Sequence, residues 1–320
     1  MTSIHRTVLL NEAIEGLNLN DKSIVVDVTF GGGGHSLEIC KRHKGVKIIA
    51  LDQDQGALER GRAKFQDLSC DITFVNANFR DIDKVLEKDF SIFFSVPPSL
   101  SHSKNIEKSF SEEKVNGIIF DLGLSSDQLE SSGRGFSFMK DEPLLMTMKE
   151  NPSSEEDVTA YDVVNTWSEE TLADIIYGYG EERFSRRIAR AIVKARAKKK
   201  IETTFQLVEV IKGAIPAKFR KGKIHPATKT FQAIRIAVND ELGALTEGLD
   251  KGFKFLKKGG RMSVITFHSL EDRVVKRFYK LKETEGKGKL VNKKVIRASE
   301  EEVRNNPRSR SAKLRIIEKI

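Results

Sequence analysis

Four consecutive glycines follow an apolar segment near the start of the chain, and acidic residues end two later apolar segments. The glycines occupy residues 31–34 of GGGGHS, and the acids are Asp52 in IIALD and Asp121 in GIIFD. Glycine runs form poor helices and strands, so this stretch is suited to bringing bare backbone close to a ligand. An acid about 20 residues after such a loop can accept ribose hydroxyls. The spacing predicts a site for a ligand that carries a ribose.

Two phosphate-binding motifs do not fit this loop. A P-loop requires GxxxxGK followed by Ser or Thr, and no such lysine follows the glycines. The dinucleotide fingerprint GxGxxG fails because Ser36 stands where its third glycine belongs. A ribose site without a phosphate signature is what S-adenosylmethionine requires, because this cofactor has a ribose and no phosphate. The alternative is an ordinary glycine-rich turn between a strand and a helix, which binds no ligand.

Strands and helices alternate along the segments that must position these residues. Short β-branched runs bounded by turn residues predict strands at 23–28, 46–52, 71–77, 116–123 and 261–268. Helical patterns lie between them, for example at 35–43 and 55–65. Such alternation predicts an α/β fold with a parallel sheet covered on both faces. The last two apolar runs, 289–296 and 312–320, are predicted to close the sheet as an edge hairpin.

The middle of the chain has helical patterns and no strand pattern. We therefore predict a helical insertion at 140–228 within one α/β domain, whose two parts are residues 1–139 and 229–320. Apolar residues at steps of three and four from Phe231 to Leu256 predict one long amphipathic helix over 230–256.

The charge is unevenly distributed. The chain of 320 residues carries 55 Lys and Arg against 46 Asp and Glu, a net charge of +9. Between residues 183 and 223 there are 14 basic residues and two acidic ones. In the predicted helix 182–196, one face carries the basic residues Arg183, Arg187, Arg190 and Lys194. This pattern predicts an anionic partner, and the alternative is an ordinary solvated helix face.

Composition excludes several classes of protein. Cys40 and Cys70 are too few for a disulfide framework or a four-ligand zinc site, which favours a reducing compartment. No apolar run approaches the roughly 18 residues of a membrane span. The first residues lack a signal-peptide pattern because Asn11 and Glu12 interrupt their apolar run. We expect a soluble, cytoplasmic protein without a metal site.

A set of motifs in fixed order extends over nearly the whole chain. They are GGGGHS (31–36), LDQD (51–54), NF (78–79), DLGLSSDQL (121–129), RGFSF (134–138), YGEERFSRRIARAIV (179–193), HPATKTFQAIRIAVNDEL (225–242), SVITFHSLEDRVVKRF (263–278) and NPRSRSAKLR (306–315). Together they resemble the bacterial-type 16S ribosomal RNA cytosine-N4 methyltransferase family, which also has a mitochondrial relative. The resemblance implies a class I, Rossmann-like methyltransferase sheet with an inserted helical substrate-binding domain. It also implies S-adenosylmethionine-dependent N4-methylation of one cytosine in the decoding region of small-subunit ribosomal RNA.

The resemblance also implies roles for individual residues. The cofactor contacts it implies are the glycine loop (Gly33, Gly34, His35), the ribose ligand Asp52, the adenine neighbour Phe79, and Asp121 and Gln128 around the fourth strand. These residues also have alternative interpretations, in which the side chain has a purely structural role. His35 can open or cap a helix, Phe79 can belong to the core, and Asp54 can either replace Asp52 at the ribose or cap a helix.

Methylation of an exocyclic amine requires hydrogen-bond acceptors aimed at the amino protons, because the nitrogen lone pair is delocalised into the ring. Asp121 is the first candidate acceptor, with Ser125 or Ser126 in support. His268 and Ser269 follow the last parallel strand and can face the base. DNA amino-methyltransferases place [DNS]PP[YFW] after the fourth strand, whereas this chain has Asp-Leu-Gly-Leu there. The only adjacent prolines, Pro97 and Pro98, lie in the Ser/Lys-rich segment 95–114 and are interpreted as unrelated.

The sequence departs from the family pattern at one place. Family members read DGPLDMRM after RGFSF, but here Leu145 and Thr147 replace the acid and the arginine. The paired replacement predicts the loss of a mutual partner at the entrance to the insertion. The expected partner is small-subunit ribosomal RNA or the assembled small subunit, with a homodimer possible. The alternatives are a methyltransferase of the same fold acting on DNA, another RNA or protein, and a non-catalytic RNA-binding assembly factor.

Overall fold

The computed structural model describes residues 6–66, 68, 70–93, 114–149, 157–222 and 224–320. The chain divides into two compact units. The first contains the described residues of Met1–Gly123 and Leu242–Ile320, and the second is formed by Leu124–Glu241. The second unit extends beyond the predicted bounds of 140 and 228 at both ends. The reason lies in its core, to which Phe136 contributes before residue 140 and Ile234 after residue 228.

A sheet of seven strands forms the centre of the first unit. The strands are β1 (Ile24–Asp27), β2 (Lys47–Asp52), β3 (Asp71–Asn76), β4 (Val115–Asp121), β5 (Leu256–Thr266), β6 (Gly288–Leu290) and β7 (Lys313–Lys319). Their order is β3-β2-β1-β4-β5-β7-β6. Strands β1 to β5 pair in parallel, whereas β7 pairs antiparallel with β5 and β6 with β7. The predicted parallel sheet is confirmed, and so is the antiparallel pairing of the last two runs at its edge. The two strands do not form a hairpin, because β6 is shorter than the predicted run 289–296 and a helix at Glu300–Asn305 lies between β6 and β7.

The strand order reverses between β1 and β4. These two strands pair directly, with Val25 opposite Gly117 and Asp27 opposite Ile119. Helices that leave neighbouring strands in opposite directions open a crevice at the carboxyl ends of those strands, where open α/β sheets bind ligands. Asp27 and Asp121 end β1 and β4 at this crevice.

The helices in chain order are α1 (Leu10–Leu17), α2 (Gly34–Arg42), α3 (Gln55–Phe65), α4 (Ile82–Phe93), α5 (Ser126–Glu130), α6 (Ala160–Thr166), α7 (Glu169–Gly178), α8 (Ser185–Arg196), α9 (Thr204–Ala214), α10 (Thr228–Asn239), α11 (Glu241–Phe255), α12 (Ser269–Thr284) and α13 (Glu300–Asn305). In the first unit, successive strand residues belong to different apolar clusters: Val26 packs with Leu245 of α11, while Val25 packs with Leu17 of α1. Both faces of the sheet are therefore covered.

Helices α5 to α10 build the second unit around its own core. Fully buried residues of this core include Val163 of α6, Ile176 of α7, Ile188 of α8 and Leu207 of α9. Its described residues contain no strand beyond an isolated bridge between Pro143 and Thr203. The absence of a strand pattern in this part of the sequence agrees with that architecture.

The prediction of one long helix over 230–256 is wrong. Helix α10 ends at Asn239, Asp240 adopts a left-handed conformation with φ of 44°, and α11 begins at Glu241. Aspartate tolerates this conformation better than most residues. The Asn239 amide donates to the Met146 carbonyl, at 2.8 Å, and its oxygen accepts from the Met148 N–H, which fixes the end of α10. Hydrophobic periodicity continues through the break and so conceals it.

Cys40 of α2 and Cys70, just before β3, form a disulfide with Cα atoms 5.6 Å apart, a pairing that the sequence does not predict. Two cysteines alone offer no spacing from which to infer a bond. None of the helices in the described part of the chain is long and apolar enough to cross a membrane.

Candidate active site

The glycine loop connects β1 to α2 at the carboxyl edge of the sheet. Gly31 and Gly33 have φ values of +51° and +70°, in the left-handed region that favours glycine. A Cβ at Gly33 would collide with the Phe30 ring, and one at Gly34 with the Thr7 hydroxyl. Two of the predicted cofactor contacts, Gly33 and Gly34, are thus already required by local packing. Their contact with a cofactor stays a prediction.

His35 lies in the first turn of α2. The N-cap is Gly33, and no side chain caps this end of the helix. The alternative in which the His35 side chain caps the helix is therefore wrong. Instead, His35 is buried at 4% exposure, and its Nε2 lies 3.4 Å from Asp121 Oδ2. An uncapped helix N-terminus presents free N–H groups that can bind a ligand carboxylate.

Asp27 lies beside this pair and is nearly inaccessible, with 1% exposure. The Ser36 hydroxyl donates to its Oδ2 at 2.6 Å, and the Thr29 N–H donates to its Oδ1 at 3.3 Å. Burial raises the pKa of Asp27, while the Ser36 hydrogen bond and the nearby His35 act in the opposite direction. The Thr29 hydroxyl in turn accepts from the Asp121 N–H at 2.6 Å, which links the ends of β1 and β4.

Three buried polar atoms of this cluster have no hydrogen-bond partner among the described residues. They are both ring nitrogens of His35 and Oδ1 of Asp121. Buried polar atoms are nearly always satisfied, and leaving one unsatisfied costs about 1–3 kcal/mol. Such atoms at the ligand-binding edge of an α/β sheet fit a polar ligand that completes their hydrogen bonds.

Asp52 ends β2 on the other side of the glycine loop. Its Oδ2 accepts from the Gly31 N–H at 2.7 Å, and its Oδ1 from the Asp54 N–H at 2.9 Å. Burial raises the pKa of Asp52 to about 6, although both hydrogen bonds oppose the shift. Each carboxylate oxygen has a further lone pair, so the group can also accept ribose hydroxyls.

Asp54 has a different task. It is the N-cap of α3, and its Oδ1 accepts from the Ala57 N–H at 3.2 Å. Among the two competing acids, the structure therefore gives Asp54 the capping role and leaves Asp52 as the candidate for the ribose.

Phe79 follows β3 and begins a short 3-10 turn, Phe79–Asp81, which the Asn78 side chain caps. Its ring is half-buried and packs edge-to-face on Phe120, with centroids 5.7 Å apart. A Cβ at Gly248 would collide with the same ring. Phe79 is thus partly a core residue, and its contact with adenine stays a prediction.

Ser125 and Gln128 belong to the second unit and bond to each other. The Ser125 N–H donates to Gln128 Oε1 at 2.9 Å, and the Gln128 N–H donates to Ser125 Oγ at 3.2 Å. This reciprocal pair is a capping box at the start of α5. The predicted roles of Ser125 in catalysis and Gln128 in cofactor binding are not tested by these hydrogen bonds. The side chain of Ser126 lies outside the described residues, as do Pro97 and Pro98.

His268 follows β5 and caps α12. Its Nδ1 accepts from the Glu271 N–H, at 3.4 Å, and its Nε2 lies 3.2 Å from Glu271 Oε1. The other carboxylate oxygen of Glu271 accepts from the Phe267 N–H at 2.8 Å. A histidine held against its own helix in this way has an evident structural role, and its predicted catalytic role stays a prediction.

The predicted basic face lies on α8 and the residues before it. Ile188 and Ile192 are fully buried, whereas Arg183, Arg187, Arg190 and Lys194 are exposed. Arg190 Nε lies 3.4 Å from Glu169 Oε1. Neither Arg187 nor Lys194 has an ion-pair partner within the described ranges. The amphipathic division is confirmed, and RNA binding by the basic face stays a prediction.

The two residues that depart from the family pattern are accommodated without charge. Thr147 is buried, and its hydroxyl accepts from the Lys149 N–H at 3.2 Å. Leu145 is half-buried, and its carbonyl accepts from the Ala160 N–H. The Arg134 guanidinium donates to the carbonyls of residues 147–149. Main-chain hydrogen bonds and one arginine from the RGFSF motif thus hold this segment.

Sequence reasoning missed Asp27. Its signal was present, since VVD ends the first strand just as GIIFD ends the fourth, and an ionised carboxylate after an apolar run requires a partner. The glycine run that follows is the more conspicuous feature and conceals this signal.

Comparison with known proteins adds an independent finding. The model of the MraW methylase family matches residues 2–320. The chain is 46% identical to "Ribosomal RNA small subunit methyltransferase H" of Clostridium botulinum, over 99% of both chains. It is 44% identical to the protein of the same name in Brevibacillus brevis, over 99% of this chain and 98% of the other. A solved rRNA methylase from Streptococcus thermophilus covers the whole chain at 12% identity, with a TM-score of 0.43.

Proposed function

Since the chain belongs to the MraW methylase family, we propose that it methylates N4 of one cytosine in the decoding region of small-subunit ribosomal RNA. It is a methyltransferase with a class I, Rossmann-like sheet, and its cofactor is S-adenosyl-L-methionine, as predicted. The names of the relatives support small-subunit ribosomal RNA as the substrate. The choice of N4 of cytosine rests on the motif resemblance.

The observation that carries the proposal is the pair of buried His35 and half-buried Asp121 at the crevice between β1 and β4, whose buried polar atoms are incompletely satisfied. The residues fit the cofactor. The N-terminus of α2 with Gly33, Gly34 and His35 would hold its carboxylate end, Asp52 its ribose and Phe79 its adenine. When bound, S-adenosylmethionine supplies an electrophilic methyl group. Gln128 stays the further cofactor contact that the motif resemblance implies.

Asp121 is suited to handle the proton of the amine. Its Oδ1 has no hydrogen-bond partner in the described structure, while Oδ2 lies 3.4 Å from His35 Nε2. The free oxygen can accept an amino proton of cytosine, which increases the electron density on the nitrogen. As that nitrogen gains a methyl group it must lose a proton, and the Asp121 carboxylate takes it. Nε2 of His35 lies beside the other oxygen of this carboxylate. Ser125 and His268 stay candidates to contact the base.

The RNA itself would be held by the exposed cations of the second unit. Arg187 and Lys194 lack anionic partners in the described chain, and phosphates can serve as such partners. The proposed helical substrate-binding domain is therefore the unit that contains α5 to α10, and the substrate is either the RNA or the assembled small subunit.

The test is mass spectrometry of nucleosides after incubation with cofactor carrying a labelled methyl group. Small subunits, naked small-subunit RNA, DNA and protein are offered in parallel. We expect label in N4-methylated cytidine from the ribosomal RNA. Label in another nucleoside, or only in DNA or protein, contradicts the assignment. Tight RNA binding without any label would instead favour a non-catalytic assembly factor.

A further inference from the structure

We infer that Phe219 and Arg183 of the second unit form a binding site for an unpaired nucleotide, in which the ring stacks on the base and the guanidinium binds a phosphate. The inference rests on the proposed RNA substrate and adds an interaction that depends on the shape of the RNA. Both residues are distinct from the cofactor residues named above.

An exposed aromatic ring carries the first part of the argument. Phe219 ends the 3-10 turn Ala217–Phe219 after α9, and its residue exposure is 40%. The turn is held by the Phe219 N–H, which donates to the Pro216 carbonyl at 2.8 Å, and by Arg220, whose Nε donates to the Ile215 carbonyl. The ring is thus presented on an ordered turn, although leaving it partly in water sacrifices part of its hydrophobic stabilisation.

The second part concerns Arg183. Its guanidinium carbon lies 4.0 Å from the Phe219 ring centroid and 4.7 Å from that of Phe184, and the two rings are 5.3 Å apart. Cation–π contacts of this kind orient a guanidinium without using its N–H groups. In the described part of the chain, no carboxylate or carbonyl accepts from Arg183. Its five donors are therefore oriented and available, which suits bidentate binding of a phosphate.

The surroundings decide between anionic and neutral partners. The Lys218 ammonium lies 5.0 Å from the Phe219 centroid, and Arg220 and Lys221 are exposed beside it. Glu182, the acid next to Arg183 in sequence, is buried and accepts from the Phe184 N–H. An aromatic ring among cations matches single-stranded nucleic acid, whose bases stack and whose phosphates pair with cations. A duplex, with its bases already stacked, offers only the phosphates.

The experiment compares Phe219→Ala with Phe205→Ala. Phe205 is the matched control because it is another exposed phenylalanine of the second unit, at 46% exposure. Two labelled RNAs of equal length are used, a hairpin with an unpaired loop and a complete duplex, and binding is followed by fluorescence anisotropy at several salt concentrations. Thermal unfolding of each variant confirms that it is folded.

We expect Phe219→Ala to weaken hairpin binding roughly 5- to 150-fold, the range for removal of one stacked base, with duplex binding unchanged. The salt dependence should be that of the parent, because no charge is removed. Phe219→Tyr should restore binding and Phe205→Ala should have no effect. Arg183→Lys should weaken hairpin binding while it retains the salt slope, since the charge remains and the planar fork is absent.

Parental affinity of Phe219→Ala for the hairpin would overturn the inference, as would an equal loss for hairpin and duplex. Assembled small subunits are titrated alongside the two RNAs, and a loss seen only with them would indicate binding to a ribosomal protein and overturns the inference too. These outcomes are separate from the proposed function. If the parent labels cytidine N4 but Phe219→Ala binds normally, only this inference fails. If Phe219 is needed for hairpin binding but label appears elsewhere, only the proposed function fails.

Discussion

The carboxyl edge of the sheet and the surface of α8 both carry charged side chains, but in opposite physical settings. At the sheet edge, Asp27 and His35 are exposed by only 1% and 4%, and each carboxylate or ring has a specified neighbour. On α8, the Arg190 side chain is 78% exposed and pairs loosely with Glu169. The first region fixes a few groups in one arrangement, whereas the second presents many solvated cations.

This difference predicts two kinds of mutational response. A buried group whose partners are fixed cannot be replaced by a neighbour, so its removal should affect one step strongly. Exposed cations act on phosphates through their summed charge. Each cation should therefore contribute modestly, and the total effect should grow with the number of cations that are removed. The expected effects therefore decrease from the sheet edge to the surface and finally to a helix cap.

The largest effect is expected from Asp121→Asn. The amide keeps the shape of the side chain but cannot take the amine proton, and removal of such a group lowers rates by about 10²- to 10⁴-fold. Thermal stability should change little, because Oδ1 of Asp121 contributes no hydrogen bond to the described fold. Single-turnover transfer of labelled methyl groups to small-subunit RNA measures the effect. Undiminished transfer would remove Asp121 from the chemistry and leave the methylation itself intact.

Asp52→Ala should act on the cofactor rather than on the chemical step. Removing the ribose acceptor is expected to weaken binding of S-adenosylhomocysteine by about 1–3 kcal/mol, the cost of an unmatched polar partner. In the parent chain the Gly31 N–H donates to the Asp52 carboxylate at 2.7 Å, and the substitution removes this hydrogen bond as well. Titration calorimetry measures the change. Unchanged affinity would show that the ribose is held elsewhere.

The pH dependence refines this prediction. Burial raises the pKa of Asp52 to about 6, so the group is protonated below that pH and ionised above it. The ionised form is the better acceptor for ribose hydroxyls, so cofactor affinity should fall as pH decreases below 6, by at most about tenfold per unit. The effect of Asp52 on stability has the opposite pH dependence. The folded state binds the Asp52 proton more tightly than the unfolded state does. The contribution of Asp52 to the free energy of unfolding is therefore fully present below its ordinary pKa and is lost as pH rises through 6. Asp52→Asn should remove both dependences.

A smaller, graded effect is expected on α8. Joint replacement of Arg187, Arg190 and Lys194 by alanine should weaken RNA binding and reduce the log–log salt slope by roughly 0.7–0.9 for each phosphate that is no longer neutralised. Arg190→Ala alone should change the slope less than Arg187→Ala, because Glu169 already lies 3.4 Å from Arg190. Binding titrations at several salt concentrations measure the slope. A triple variant with the parental slope would identify this face as solvated surface.

The two regions also differ in how far the sequence predicts them. Asp52 and Asp121 could be placed because strand-end position follows directly from apolar runs and their limits. The proximity of His35 and Asp121 could not, because it depends on the pairing of β1 with β4, which joins residues far apart in sequence. Asp27 was missed for a related reason, since its partner Ser36 approaches it only where the glycine loop turns back, and the conspicuous glycine run conceals the acid that precedes it.

On the helical side, periodicity predicted the buried and exposed faces of α8 but not the ends of helices. Asp240 interrupts the run from Phe231 to Leu256 without disturbing its apolar spacing, because the break is made by one left-handed residue and by the side chain of Asn239. Phe184 packs against the core of the second unit, yet its ring also lies beside Phe219, from a different turn. Packing between segments distant in sequence leaves no local pattern.

The smallest effect is expected from Asp54→Ala, which distinguishes the two acids that follow β2. The side chain of Asp54 caps α3 through the Ala57 N–H, and its removal should lower the free energy of unfolding by about 0.5–2 kcal/mol. Alanine retains the main-chain N–H that donates to Asp52, so cofactor affinity at pH 7 should stay at the parental value. The negative charge of Asp54 also helps to raise the pKa of Asp52, so its removal should shift the pH dependence of binding to slightly lower pH. Chemical denaturation and calorimetry measure the two quantities separately. A large loss of affinity with unchanged stability would transfer the ribose to Asp54 and leave Asp52 as a buried support for the glycine loop.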